Sequence, residues 1–185
     1  MSETTTSLPR LALSRSRGQS FQAQSAAYLT EYLDKIRLAV DDLDDGELWH
    51  RPAPGTNSVA NLVIHLTGNL SLWILKSIAG EDYERHRSAE FAAERTSDKS
   101  AGKAEILAAF TTVVERAATV LATLPDDDLG RELDVQGYAC DAFTAAYHAV
   151  EHMSYHTGQI VWIAKQALAR RGDEVFEFYP QHEGE

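Results

Sequence analysis

The chain has 185 residues, 44% hydrophobic and 24% charged, which fits one globular domain with a buried core. A net charge of −11, from 17 basic and 28 acidic residues, disfavours nucleic acid and anionic membranes, and no Lys or Arg cluster offsets it locally. Cys140 is the only cysteine, so no disulfide can form within the chain, and a reducing, cytoplasmic setting is expected; no apolar run approaches the ~20 residues that span a bilayer.

Residues 1–20 are rich in Ser and Thr, carry Arg10, Arg15 and Arg17, and lack the apolar centre of a secretory signal. This composition reads as a flexible tail rather than a transit peptide. A first helix is predicted from about Phe21 to Leu43, with Tyr28, Leu29, Tyr32, Leu33, Ile36 and Val40 at helical spacing. Residues 41–47 break it, and the run from Trp49 to Gly55, with Pro52 and Pro54, is a rigid connector. A second helix starts at the good cap residues Asn57 and Ser58 and continues to about Ile78.

The stretch from Gly80 to Lys99 is polar, patternless and predicted to be a long solvated connection. A third helix is expected from about Gly102 to Leu124, with Ile106, Phe110, Val114, Ala117 and Leu121 on its stripe, followed by an acidic loop from Asp126 to Gly137. The fourth begins near Asp141 and reaches Ala169, where Arg170 and Arg171 suit the negative helix end and Gly172 supplies a stop. Nothing alternates as a strand. The expectation is an all-α four-helix bundle over residues 21–172 with one longer crossover connection, then an acidic tail, residues 173–185, whose Phe176, Phe178 and Tyr179 can dock on the bundle.

Seven histidines punctuate this pattern. His152 and His156 lie four residues apart on the last helix, one face and ~5–6 Å between Cβ atoms, so both rings can reach one ion. His148 extends the stripe by one turn. His65 interrupts the apolar second helix with Asn61 and Asn69 at i−4 and i+4. A lone histidine there is ordinarily a core residue satisfied by its neighbours, but two polar histidine ridges in one bundle are most simply placed facing each other. Three imidazoles suit Zn²⁺, Ni²⁺, Fe²⁺, Co²⁺ or Mn²⁺, with Zn²⁺ or Ni²⁺ favoured, and leave an open position of the kind catalytic sites keep. His86 and His182 sit in charged segments and read as solvated. His50 follows Glu47 at Glu-x-x-His spacing, but two prolines come next and no second such pair exists, which argues against a di-iron centre. Cys140 lies at least two turns before His148 and is expected to be a small, semi-buried residue out of reach of the site.

The second-helix run Asn61-Leu62-Val63-Ile64-His65-Leu66-Thr67-Gly68-Asn69 and the His-x-x-x-His-x-Gly-Gln-Ile element from His152 to Ile160 resemble the DinB/YfiT-like superfamily of metal-binding four-helix bundles. The stretch from Arg51 to Ser58 resembles a bacterial branch of it without an assigned reaction. The resemblance implies His65, His152 and His156 as ligands, with water completing the shell. Members often carry another histidine just before the last ligand; here Tyr155 stands there. His148 is not a ligand position in the superfamily, and it and Asn69 are read as backing or lining the pocket.

Relatives in the superfamily include S-transferases and isomerases that use low-molecular-weight thiols, alongside metal hydrolases. The expected function is therefore a metal-dependent enzyme activating a small thiol or water toward a small-molecule substrate, with thiol transfer slightly favoured on the resemblance. Tyr155, Asn61 and Gln159 are the candidate catalytic groups, Tyr147 a further donor. The alternative is a non-enzymatic, stress-linked bundle that binds a metal or a haem. A homodimer is compatible with such a bundle.

Overall fold

The computed structural model describes residues 20–95 and 101–178. Residues 1–19 of the expected tail, Tyr179 and His182 lie outside them. Helix α1 (Phe21–Asp41) starts where Ser20 Oγ accepts the Ala23 N–H at 3.2 Å, and it buries Leu29, Leu33, Ile36 and Val40. A short α2 (Asp45–Trp49) fills the predicted break, held by a reciprocal cap between Asp44 and Glu47. Helix α3 (Val59–Leu70) is capped by Ser58 and runs on as a π-helical turn over Ser71–Lys76. Next come α4 (Arg87–Ala92), α5 (Lys103–Thr123) and α6 (Ala142–Arg171). Asp141 caps α6 by accepting the Thr144 N–H at 2.7 Å, and Gly172, at φ 78, ends it.

The four long helices form the bundle foreseen from their apolar stripes. Helix α1 packs against α5 and α6, and α3 packs against the same two, so α1 and α3 lie across a diagonal and the bundle is not a simple up-down array. Fully buried Leu29, Ile36, Leu62, Leu66, Phe110, Leu121, Met153 and Ile160 fill the space between. Burying a side chain of this size contributes about 1.5–3 kcal/mol. Phe176 docks on this core and lies under Lys165, with the Nζ 5.2 Å from the ring centroid.

Three expectations change. The acidic loop before α6 contains an antiparallel hairpin, β1 (Glu132–Val135) and β2 (Tyr138–Asp141), pairing Glu132 with Asp141 and Val135 with Tyr138. Its two-residue turn places Gln136 at φ 58 and Gly137 at φ 82, which the twist of a tight hairpin requires. The connection from Gly80 to Lys99 is not idle, because α4 forms within it and turns Glu90 inward. Third, α5 is long and apolar enough to cross a membrane by length and mean hydropathy, 1.4 over its best 18 residues. Yet Glu115 and Arg116 sit mid-helix, and its stripe of Ile106, Phe110, Val114, Ala117 and Leu121 is buried in the bundle.

Candidate metal centre

Helices α3 and α6 bring the two histidine ridges together. One ligand nitrogen from each of His65, His152 and His156 lies within 4.8 Å of the other two. His65 is 2% exposed, His156 8%, and His152 half-buried. The ring centroids of His152 and His156 are 4.5 Å apart, and each is 5.1 Å from His65.

The His65 side of the cluster is closed. His65 Nδ1 lies 2.8 Å from Glu90 Oε2, and Arg85 grips the same carboxylate through Nε at 2.8 Å and Nη2 at 2.9 Å. Glu90 is 8% exposed and the Arg85 side chain is also buried. Phe91, next along α4, packs on the His65 ring at 4.6 Å. Asn61 fastens this segment: its Nδ2 donates to the carbonyls of Glu90 at 3.1 Å and Ala93 at 2.8 Å, while its Oδ1 accepts from the Ser58 backbone and hydroxyl. A Cβ on Gly68, one turn beyond His65, would collide with Glu90 Oε1, which is pinned by its partners and has nowhere to go.

The His156 side has a single polar partner next to a groove. His156 Nδ1 meets Gln159 Oε1 at 2.7 Å, and Gln159 also lines a groove of about 640 Å³. Leu62, Tyr155, Gly158, Trp162 and Ile163 form its floor and one wall; Pro52, Thr56 and Asn57 of the connector form the other. Arg51 holds that connector by donating to the carbonyls of Thr56 and Phe91, both at 2.7 Å.

These partners fix the chemistry of the nitrogens. A carboxylate only accepts, so His65 Nδ1 carries its proton toward Glu90 and Nε2 presents a lone pair to the cluster. Arg85 Nη2 also lies 3.1 Å from Nδ1; with both groups donors, that contact lowers the basicity of the ring rather than bonding to it. The amide oxygen of Gln159 orients His156 the same way. Burial pushes the His65 pKa down to about 4, with Arg85 adding to the effect against the pull of Glu90. Burial and the neighbouring imidazoles push His152 down to about 3, and burial also lowers His156. Burial would raise the Glu90 carboxyl, but the hydrogen bonds from Arg85 and His65 outweigh it and hold it below the usual carboxylate range.

All three imidazoles are thus neutral near pH 7, the form that ligates a metal. His65 Nε2 and His152 Nε2 lie only 2.9 Å apart, so a proton or a cation must sit between two lone pairs that would otherwise repel. Metal–nitrogen bonds of about 2.0–2.1 Å put tetrahedral ligands about 3.3 Å apart, close to this spacing. The donor set fits a divalent ion. It does not fit a haem held by His65 and His152, because axial nitrogens on opposite faces of a macrocycle cannot approach to 2.9 Å.

The remaining predicted residues fall around this core. Tyr155 is 60% exposed, its ring 5.1 Å from that of His156. His148 sits between Trp73, at 4.3 Å, and His152, at 5.3 Å, with its ring tilted to both, outside the cluster of three. Asn69 is buried, and its Oδ1 has no hydrogen-bond partner among the described residues. Tyr147 is exposed beside Phe143. Glu47 bonds Arg171, and His50 is exposed at the end of α2. Cys140 is half-buried on β2, where its neighbours and burial raise the thiol pKa. The sequence reading missed Glu90, Arg85 and Phe91; the visible signal was the short apolar patch of Ala89, Phe91, Ala92 and Ala93 in a largely charged segment.

A helical bundle with histidines from two facing helices meeting in its core defines a class, and solved structures share that fold. One is the conserved protein of locus from Enterococcus faecalis, with a TM-score of 0.64 at 17% identity, over 82% of this chain and 99% of that one. A DinB-like protein from Bacillus cereus has a TM-score of 0.59 at 18% identity, over 83% and 96%, and one from Bacillus subtilis 0.59 at 19%, over 86% and 99%. The fold is that of the DinB-like bundles. The family described as "Protein of unknown function (DUF1572)" matches residues 16–173, and the chain belongs to it. No curated protein matches the sequence.

Proposed function

We propose that this protein is a metal-dependent enzyme in which His65, His152 and His156 hold one divalent ion, Zn²⁺ or Ni²⁺ before Fe²⁺, Co²⁺ or Mn²⁺. The observation that carries this reading is the cluster of three neutral imidazoles, two with their tautomer set by Glu90 and Gln159, beside an open groove. Bound there with a position left open, the ion would supply Lewis-acid activation of a small thiol or of water. Glu90, held by Arg85, orients His65 and raises its donor strength. Gln159 orients His156 and reaches the groove, where it and Tyr155 can donate hydrogen bonds to a bound substrate. Thiol transfer is favoured over hydrolysis by likeness to the superfamily, in a reducing compartment that leaves Cys140 free. His148 backs the cluster from the Trp73 side.

Elemental analysis of untagged protein tests the centre. The wild type and His148→Ala should retain about one equivalent of a transition metal, and His65→Ala, His152→Ala and His156→Ala should retain none. Metal kept by all three ligand variants would overturn the site. Metal bound by the wild type with no thiol-dependent or hydrolytic turnover across a substrate panel would leave a carrier instead of an enzyme.

A further inference from the structure

We infer that the groove beside Gln159 is a binding site for a neutral, flat aromatic group, and that this group is the part of the substrate the protein recognises. For the word substrate the inference rests on the enzyme reading; for binding it does not. Three observations carry it.

The first is the lining. Trp162, 61% exposed, and Tyr155, 60% exposed, both face this groove, and Leu62, Ile163 and Pro52 complete apolar walls. The volume of about 640 Å³ lies within the ~300–1,000 Å³ of small-molecule sites.

The second is charge. Among the described residues no Asp, Glu, Lys or Arg lines the groove, exposed Glu151 stands one turn before Tyr155, and the chain carries a net −11. Arg51, the nearest cation in the connector, spends its guanidinium on two backbone carbonyls. An anionic ligand would find no cationic side chain in that lining to offset its desolvation, a cost an uncharged ring avoids.

The third is Gly158. It is an exposed glycine inside a 30-residue helix, and a Cβ there would meet nothing within 4 Å. No packing contact explains it, and a glycine at such a position costs roughly 0.5–1 kcal/mol relative to alanine. What it supplies is bare helix surface between Tyr155 and Trp162, against which a flat ring can lie.

The test uses two isosteric probes, 2-acetylnaphthalene and 2-naphthoate, titrated into ¹⁵N-labelled protein while the Trp162 indole signal is followed by NMR. The three tryptophans are separable, because the Trp49 indole N–H bonds the Ala101 carbonyl and Trp73 packs on His148; Trp162→Phe assigns the third. The neutral probe should move the Trp162 signal and bind at least about tenfold more tightly than the carboxylate. Gly158→Leu, on an open helix face that tolerates the side chain, should weaken it by about tenfold or more, as should Trp162→Ala. His65→Ala, which removes the metal centre, should leave probe binding within about twofold, so a failed groove and a failed metal site give different patterns. Equal affinity for both probes, or unchanged binding in Gly158→Leu, would overturn the inference. So would a concentration-dependent Trp162 shift without probe, which would mean that a second copy of the chain covers the groove.

Discussion

His65 and His156 are both buried and both have Nδ1 held by an oxygen acceptor, yet their surroundings are opposites. Behind His65 stand a buried carboxylate, the buried guanidinium that grips it and an aromatic ring, on or against a helix, α4, whose backbone Asn61 ties down. Behind His156 stands one half-buried amide that also faces an open groove. The charge-assisted side sets position and donor strength, and the neutral side leaves access. One centre therefore has an anchored wall and a working wall.

That asymmetry can be broken from either side. The largest effect belongs to the anchored wall. Glu90→Ala would strand Arg85 in a buried site and cost about 3–5 kcal/mol of stability, read as a lowered midpoint in chemical denaturation. Glu90→Gln keeps the shape and loses the charge, and should weaken metal affinity about 10–100-fold in a chelator competition. Gln159→Ala, on the working wall, should fall below that range in the same assay. Equal losses at the two positions would erase the distinction.

Acid provides the next contrast. The folded-state pKa values of His65 and His152, about 4 and 3, lie below the ~6.5 of an unfolded histidine. The unfolded chain therefore takes up protons that the folded chain refuses, and metal-free protein should lose stability as pH falls from about 6.5 toward 4 and 3. Thermal melts in chelator at pH 7.5 and 5 check this, and His152→Ala should flatten the difference. The smallest effect is at the groove: Gly158→Ala should raise stability by about 0.5–1 kcal/mol in the same denaturation assay.

The working parts of this asymmetry differ in how far the sequence announces them. The four helices and the three histidines were legible because helical period and i,i+4 spacing are local, and the Ser58 and Asp141 caps fall where the sequence puts them. Glu90 was not, because its role depends on a contact 25 residues away and a close approach that only Gly68 permits. Asn61, a candidate catalytic group on its spacing from His65, instead bonds the backbone of α4, a role no spacing rule reveals. The hairpin before α6 left a faint mark, Leu133 and Val135 alternating with Glu132 and Asp134 ahead of Gly137, too short to outweigh the acidic run before it.

The central claim is that His65, His152 and His156 share one ion. X-ray absorption at the metal edge of untagged, metal-loaded protein tests it most directly. Three imidazole nitrogens with at least one further light ligand are predicted, and His65→Ala should show no bound metal. A sulfur ligand, or a wild-type spectrum unchanged by that substitution, would contradict it.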